Sequence, residues 1–534
     1  MIERIGSVSL WEGALYAALL YGVYIVGMSM YRLTLHPLAS FPGPKLAAVS
    51  YLYEIWYDMI LGGRYTSQIG KLHKIYGPVV RINPDELHCN DPKFLDTLYP
   101  SGVKNREKVM HWINAFPSNL HEAMTFTRDH QLHRKRRATL IKFFSRSRIL
   151  KLQDTIQVRV HKLCDKLLAS RGQGELGAVK VYSTFATDII SDYLYGWSFN
   201  FLDKAGWDAN YLASMEMLES MAFINRHIPF VRDLQPHIPP WAVRPFSSDM
   251  SKAMQDMMVN IPNEIDRIKG LDNKDLEKQR ETVFSSMLQS DLPASEKSTE
   301  RLAADAAVLL NAGTDTTARA LSVLTFYLLD QPMICDKVRT ELKTVVEDPT
   351  QLPPWEALEK LPYLSSVILE GIRLSHGVTG RMPRIAPDED MVYKGVWNSS
   401  DVTYVIPRGW AIGTSSPLIH THESIFPQPL EFIPERWLDE KKQRRRDLES
   451  YIMSFGKGSR ICLGMQLAHC QLYIAVSALV LRVMPHMELY KTTKEDAEYD
   501  HDGILARPRP GSKGGATYSD SPFGGLAFTV NQVT

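Results

Sequence analysis

The sequence contains few cysteines and almost no net charge, and both shortages exclude functions. Only 5 of the 534 residues are cysteine, and their odd number and wide scatter argue against a disulfide framework. Cys462 and Cys470 alone are near neighbours, and their spacing is not that of a zinc ribbon. We therefore expect free thiols, a reducing compartment and no zinc. The 61 basic and 60 acidic residues leave a net charge of +1, so no bulk charge predicts binding to nucleic acid.

One stretch near the N-terminus lacks charge altogether. From Gly13 to Tyr31 no side chain is charged, and this length suffices to cross a bilayer as one helix. Arg32 and Lys45 follow the stretch, which predicts that the body of the protein stays on the cytosolic side. A cleaved signal peptide is the alternative, but no basic segment precedes the stretch. The prolines between residues 36 and 44 then predict a stiff connector. The predicted organisation is a non-cytosolic N-terminus (1–12), a transmembrane anchor (13–31), a proline-rich hinge (32–48) and a cytosolic catalytic domain (49–534).

A long helix is predicted from Ser298 to Leu329, because apolar residues recur at helical spacing. In its middle lies Ala312-Gly313-Thr314-Asp315-Thr316-Thr317, and glycine and threonine are poor residues inside a helix. An acid buried there is costly unless it has a partner or a function. One reading is that Thr314 and Thr317 hydrogen-bond to helix carbonyls. The other is that the helix opens locally over a cofactor, where Asp315 and Thr316 handle protons.

A single cysteine lies among glycines between Phe455 and Gly464. Glycines such as Gly458 let the backbone approach a large flat ligand closely. The helix predicted to follow can stabilise a thiolate at Cys462, and a thiolate is an axial ligand for haem iron. Arg460 is placed to pair with a haem propionate. The alternative is a buried structural cysteine in a glycine turn.

Glu370 and Arg373 are three residues apart, so they share one face of a predicted helix. Such pairs are common and mean little alone. Arg436, in Pro434-Glu435-Arg436-Trp437, is a second arginine that comes from later in the chain. The three residues are predicted to form a buried ion-paired triad with a structural role.

Together these motifs resemble the cytochrome P450 family. The spacing Phe-x-x-Gly-x-Arg-x-Cys-x-Gly at 455–464 matches the family's cysteine signature, and the other motifs occur in the family's order. The sequences of residues 375–381 and 434–437 look most like those of fungal members that act on terpenoid, polyketide or alkaloid intermediates. The resemblance implies a mainly α fold with a small β region, preceded by one transmembrane helix. It also implies haem b between the acid–alcohol helix and the helix that follows Cys462.

The resemblance assigns further site residues. The family usually has Trp-x-x-x-Arg where this chain has His133-x-x-x-Arg137, so the tryptophan is replaced and a nitrogen donor is kept. Met-, Phe- and Pro-rich residues between 207 and 258 resemble a lid that also touches the membrane surface. The implied haem contacts are Cys462, Arg460, Phe455, Gly458, Gly464, Arg137, His133, Arg384, Ala312 and Gly313, and the implied substrate pocket comprises Phe116, Phe223, Leu310 and Val378.

The implied activity is that of a haem-thiolate monooxygenase, which inserts one atom of O2 into an apolar small molecule. Nothing in the chain looks like a flavin or nicotinamide domain. Electrons are therefore expected from NADPH through a membrane-bound cytochrome P450 reductase that docks near Lys457, with cytochrome b5 as a further partner. The expected location is the endoplasmic reticulum membrane, with one span and a monomeric catalytic unit. The alternatives are a haem-thiolate isomerase or dehydratase that needs no external electrons, and a non-catalytic haem sensor.

Overall fold

The computed structural model describes residues 10–207, 211–245, 251–252, 255–270, 281–509 and 526–531. Helices dominate these residues, which confirms the predicted mainly α fold with a small β region. The α-helices are α1 Leu10–Thr34, α2 Lys45–Val49, α3 Leu52–Ile55, α4 Tyr65–Tyr76, α5 Leu95–Leu98, α6 Met110–Ile113, α7 His130–Ile141, α8 Arg146–Ala169, α9 Ala178–Tyr195, α10 Leu212–His227, α11 Pro229–Leu234, α12 Pro240–Val243, α13 Ile261–Lys269, α14 Val283–Gln289, α15 Thr299–Asp330, α16 Pro332–Leu342, α17 Trp355–Leu358, α18 Pro362–Leu374, α19 Ser416–His420, α20 Arg446–Glu449 and α21 Met465–Ala478.

The strands form small sheets at the edge of the helical body. The strands are β1 Val79–Asn83, β2 Glu86–Cys89, β3 Glu107–Lys108, β4 Glu175–Gly177, β5 Arg384–Ile385, β6 Met391–Trp397, β7 Ser400–Ile406, β8 Ala411–Gly413, β9 Met487–Leu489, β10 His501–Asp502, β11 Ala506–Arg507 and β12 Ala527–Val530. The largest sheet has the order β1-β2-β8-β5-β3, and its strands β1 and β2 pair antiparallel. A second hairpin, β6-β7, pairs antiparallel and turns at Asn398 and Ser399.

The core is built around α15, which is buried along most of its length. The hydroxyl of Ser298 caps its first turn by accepting the Arg301 N–H, which is why the helix begins there. Its most extensive neighbour is α9. The two helices approach closely at Gly313, where a Cβ atom would lie 2.8 Å from Ile190 Cγ1. A glycine in mid-helix is therefore explained here by helix–helix contact.

One of the two readings of the long helix is wrong. The helix α15 does not open around Thr314: every residue from Thr299 to Asp330 is α-helical. Within this regular helix, the Thr316 hydroxyl donates to the Ala312 carbonyl at 2.7 Å. The basic residues between 129 and 148 lie on two helices, since α7 ends at Ile141 and α8 begins at Arg146.

The N-terminal helix α1 stands apart from the body, with no buried residue and a mean hydropathy of 1.5 over its most apolar window. It extends three residues beyond the predicted end at Tyr31, to Thr34. By length and composition it is able to cross a membrane. The helical stretch Met465–His486 is equally apolar, but 78% of its most apolar window is buried, as befits a core helix.

The end of α1 is fastened to the sheet by Arg81 of β1. The guanidinium of Arg81 is buried and donates to the carbonyls of Arg32 at 2.8 Å, Pro84 at 2.8 Å and Leu38 at 3.3 Å. Burial lowers the pKa of Arg81 to about 10. The connector is therefore docked on the sheet by hydrogen bonds to its carbonyls.

Candidate functional site

The loop before α21 presents a cysteine with its backbone fixed on both sides. The N–H of Cys462 donates to the Phe455 carbonyl at 2.7 Å, and the Phe455 ring lies 5.1 Å from the ring of His469. Gly458 has φ 71°, and a Cβ there would lie 2.5 Å from the Tyr99 carbonyl oxygen. Gly464, in contrast, has ordinary φ, and a Cβ on it would contact no atom within 4 Å. Protein contacts explain the first glycine and not the second, which fits a ligand that approaches the backbone at Gly464.

The sulfur of Cys462 borders a space inside the protein. Its side chain has accessible surface, unlike the other four cysteines, yet burial raises the pKa of its thiol. The two observations agree when the sulfur faces an enclosed space and not open solvent. The N–H of Gly464 and the charge of Arg137 both lower the pKa of the thiol. Both groups therefore favour the thiolate, the form that binds a metal.

Cationic side chains gather beside this cysteine, and among the described residues carboxylates act on only one of them, Arg460. Lys108, Arg384 and Arg460 are close enough to repel one another, and burial with the charges of Arg384 and Arg460 holds the pKa of Lys108 well below its usual range. No carboxylate is among the charges that act on Lys108, Arg137 or Arg384 in the described part of the chain. Arg460 donates instead to the carbonyls of Thr127 and Arg128, both at 2.8 Å. Burial and Arg384 lower its pKa to about 9.

His133 belongs to the same group. Its Nδ1 is buried without a hydrogen-bond partner, and burial lowers the pKa of the imidazole to about 2, with further lowering by Arg460, Lys108 and Arg137. A buried polar atom without a partner costs free energy, and so does a set of uncompensated buried cations. Two carboxylates placed among these five residues would remove both costs. The residues thus fit haem, whose two propionates are carboxylates and whose iron accepts a thiolate.

Lys108 is the residue that sequence reasoning missed. It lies in Arg106-Glu107-Lys108, which looks like an ordinary charged turn, and its ammonium lies 4.1 Å from the centre of the Trp112 ring. No local signal distinguishes it from a surface lysine. Its convergence with four residues from other segments exists only in the fold.

The helix α15 has one accessible face in its buried middle. Ala312 is exposed and Val308, Leu309 and Thr316 are half-buried, and these residues are spaced one helical turn apart. Leu310 has no accessible surface, so its predicted place in the substrate pocket is wrong. The helical phase explains the error, because a residue two positions from Ala312 points away from the face that Ala312 occupies. Thr314 also points elsewhere and lies 3.2 Å from the Thr187 hydroxyl of α9.

Asp315 faces away from the hydroxyl of Thr316 and pairs with Arg319 one turn later. Its Oδ1 accepts from Arg319 Nε at 2.8 Å. Burial raises the pKa of Asp315 and Arg319 lowers it. Arg319 Nη2 lies 3.7 Å from Glu219 on α10, and Glu219 is also paired with Arg507 of β11. A row of alternating charges therefore joins the middle of α15 to α10.

Glu370, Arg373 and Arg436 are brought together as one ion-paired group. Glu370 and Arg373 form two parallel hydrogen bonds of 2.8 and 2.9 Å, and Arg436 Nε donates to Glu370 at 3.0 Å. The Trp437 indole donates to the same carboxylate at 2.8 Å. Glu370 and Arg373 are fully buried, and Arg373 also donates to the carbonyls of His420, Pro429 and Glu431. All of these hydrogen bonds join α18 to the segment 420–437, so the group has the structural role that the sequence predicts.

A family model described as Cytochrome P450 matches residues 42–512. The chain belongs to the cytochrome P450 family. The cytochrome P450 monooxygenase ppzE of Metarhizium majus is 43% identical, covering 83% of this chain and 94% of that protein. Conidiogenone synthase of Penicillium rubens is 37% identical (89% and 92% covered), and N-acetyltryptophan 6-hydroxylase of Emericella nidulans is 33% identical (96% and 98% covered).

Membership makes this P450 an enzyme, a monooxygenase that uses haem and O2 and takes electrons from a redox partner. The relatives are fungal monooxygenases, as the sequence motifs predict. The isomerase and the non-catalytic sensor are not favoured.

The other predicted pocket residues of the P450 lie in two places. The Phe116 ring packs at a tilt against Phe126 with ring centres 4.3 Å apart, and Val378 is half-buried beside Leu505. Phe223, also half-buried, faces Gly63, where a Cβ would lie 3.1 Å from its ring. A separate cavity of about 140 Å³ lies beside α10, lined by Asn119, Met221, Met257 and neighbouring apolar residues. None of the four predicted pocket residues, and neither Cys462 nor Thr316, lines this cavity, so we do not take it as the reaction site.

Proposed function

We propose that this P450 is an NADPH-dependent monooxygenase, anchored in the endoplasmic reticulum, that oxidises an apolar small molecule in fungal secondary metabolism. The observation that carries the site assignment is the group of Lys108, His133, Arg137 and Arg384, which lies with Arg460 beside the accessible thiol of Cys462. In the described part of the chain, no carboxylate acts on these four residues. Haem b bound through Cys462 supplies the chemistry of O2 activation.

The residues of the chain divide the remaining work. The cationic side chains hold the propionates and so fix the orientation of the macrocycle, while Phe455 supports the cysteine loop. Gly458 shapes that loop, and Gly464 lets the haem approach its backbone. Ala312 presents its small side chain to the haem, with the backbone of Gly313 beside it. Asp315 takes up protons and passes them to Thr316 after its carboxylate leaves Arg319.

The substrate is an apolar small molecule, and the reaction is hydroxylation, epoxidation or a multistep oxidation. Support comes from the accessible face of α15, where Val308, Leu309 and Ala312 expose only hydrocarbon. The relatives' names point to secondary metabolism, since one makes conidiogenone and another hydroxylates N-acetyltryptophan. We assign the substrate to terpenoids, polyketides or alkaloids.

Residues 13–31 of α1 serve as the membrane anchor, with residues 1–12 on the far side and the catalytic domain (49–534) in the cytosol. The basic residues Arg32 and Lys45 after the helix support this orientation. Phe230 and Trp241 of the lid segment are 73% and 74% exposed, which suits a surface that touches lipid. The reductase, and cytochrome b5 as a second partner, dock on the opposite, cysteine-side surface near Lys457.

The ligand assignment is tested by the spectrum of the reduced, carbon monoxide-bound protein. We expect Cys462→Ser to lose the red-shifted Soret band of thiolate-bound haem. The matched control is Cys470→Ser, which removes a buried thiol of α21 eight residues later and should leave the band in place. An unchanged spectrum in Cys462→Ser would remove Cys462 as the iron ligand.

The electron source is tested by turnover of the purified chain. We expect no product with NADPH and O2 alone, and product when a P450 reductase is added. Product formed from a peroxide substrate without O2 or NADPH would favour the isomerase alternative. Substrate-induced shifts of the haem spectrum across a panel of apolar metabolites would identify the substrate class.

A further inference from the structure

A second group of metal-binding side chains lies far along the chain from the cysteine loop. Glu54 of α3, His111 of α6 and His227 at the end of α10 bring one ligand atom each to within 4.8 Å of the others. Asp58, in the π-helical turn Trp56–Ile60, lies outside this set, but it places a second carboxylate beside His227. Among the described residues, no other group of three or more histidine, cysteine or acidic side chains converges in this way.

The separations of these atoms suit a tetrahedral transition metal. Glu54 Oε1 lies 2.8 Å from His111 Nε2 and 3.8 Å from His227 Nε2, and Asp58 Oδ2 lies 3.4 Å from His227 Nε2. Two ligand atoms about 2.0–2.2 Å from a zinc ion at tetrahedral angles lie roughly 3.3–3.6 Å apart. The observed distances lie on both sides of this range, so metal binding requires the His111–Glu54 hydrogen bond to open and the side chain of Asp58 to move toward the other three. Two imidazoles favour zinc or a similar metal over calcium and magnesium, which take oxygen ligands.

The buried charges leave room for a cation. Glu54, Asp58 and Glu86 are three buried carboxylates, and the guanidiniums that reach them belong to Arg381 and Arg226. Glu86 Oε1 has no hydrogen-bond partner and lies 3.4 Å from Arg381 Nε. The group therefore carries one more acid than base. A divalent cation that replaces the half-buried Arg226 would bring the sum to zero, with Arg381 kept in place.

We propose that Glu54, Asp58, His111 and His227 form a site for a divalent transition metal, and that the metal and Arg226 compete for it. The two occupants differ in what they connect. Arg226 and His227 end α10, and His111 follows β3. A bound metal would tie the end of α10 to α3 and α6 by coordination bonds, which are stronger than the ion pair of Arg226 with Asp58 at 3.1 Å.

Zinc binding to the full-length, haem-loaded protein tests the proposal, because occupied haem keeps Cys462 from binding zinc. The measurement is equilibrium dialysis with Zn²⁺ and metal analysis, followed by X-ray absorption at the zinc edge. We expect one zinc per chain with two imidazoles, oxygen ligands and no sulfur. His111→Ala and His227→Ala should each weaken binding by about ten-fold or more.

Arg226→Gln separates competition from simple ligand loss, because it should tighten zinc binding while the histidine variants weaken it. The matched control is His237→Ala, an exposed histidine on the same side of the lid segment, which should change nothing. Haem content and the carbon monoxide spectrum verify that each variant folds. Binding that the histidine variants leave unchanged, a sulfur ligand, or weaker binding in Arg226→Gln would overturn the site.

Discussion

At the scale of single residues, the fold keeps several histidines neutral that would be charged in the unfolded chain. His376 is an example: it has the left-handed φ of 58°, and its Nδ1 lies 3.3 Å from His420 Nδ1 in a buried contact behind the cysteine loop. Burial, with a smaller contribution from Arg373, lowers the pKa of His376 to about 3. Such a residue makes the native state sensitive to acid.

We expect His376→Asn to reduce acid sensitivity. The unfolded histidine binds a proton below its ordinary pKa of about 6.5, whereas the folded one does not until about pH 3. The unfolded state thus binds more protons, so stability rises with pH in this window and is lost as pH falls below about 6.5. At pH 5 the loss from this group is about 2 kcal/mol.

Asparagine accepts the left-handed backbone and does not titrate. Chemical unfolding of the variant and the parent at pH 8 and pH 5 measures the difference between them. An equal loss of stability in both proteins on acidification would contradict this assignment.

Lys108 is a residue that destabilises the haem-free protein and strengthens the binding of haem. We expect Lys108→Met to stabilise the haem-free protein, because an uncompensated buried cation is removed, and to speed haem loss by about ten-fold, because a charged hydrogen bond is lost. Haem transfer to apomyoglobin and thermal unfolding of both forms provide the two readouts. Lys104→Met removes a 57% exposed lysine four residues earlier and is the control. Effects of the same sign on both forms would contradict a role in propionate binding.

At the scale of elements, the sequence predicts the ends of α15 well but not which face of the helix each residue occupies. Its ends at Thr299 and Asp330 lie within one residue of the predicted ends, because the Ser298 cap and Pro332 are local signals. The face that each residue occupies depends on contacts with α9, so Leu310 was assigned to the wrong side. The Asp315–Arg319 pair was findable, since residues four apart share a helix face. Its extension to Glu219 on α10 was not, because it depends on tertiary structure.

Arg319→Met should shift to higher pH the profile of product formed per NADPH consumed. Arg319 lowers the pKa of Asp315, so without it burial alone acts and the pKa rises further. The measurement is product formed per NADPH consumed as a function of pH. Asp315→Asn is the reference variant. The part of the pH profile that is caused by titration of Asp315 should be absent in this variant. A profile that Arg319→Met leaves in place would exclude Arg319 as the group that positions Asp315.

At the scale of the whole molecule, the buried Arg81 is one of the contacts that hold the end of α1 on the catalytic body, together with the buried side chains of Leu38 and Phe41. We expect Arg81→Met to free the segment between Arg32 and Lys45, because the carbonyls that Arg81 binds lose their donor. In membranes, trypsin should then release the body faster by cleavage at these two residues. Arg408→Met, at an exposed arginine of another loop, should not change the rate. Equal cleavage rates in the two variants would mean that other contacts hold the connector.

Because the connector is docked, the orientation of α1 is coupled to the orientation of the catalytic body. With α1 in a bilayer, the tilt of the helix sets the orientation of the catalytic body relative to the membrane surface. Helix tilt depends on the thickness of the hydrocarbon layer. A thicker membrane would bring the helix upright and swing the lid segment, with Phe230 and Trp241, to another depth in the lipid. If α1 is the proposed membrane anchor, the route by which an apolar substrate reaches the enzyme would thereby depend on the thickness of that membrane.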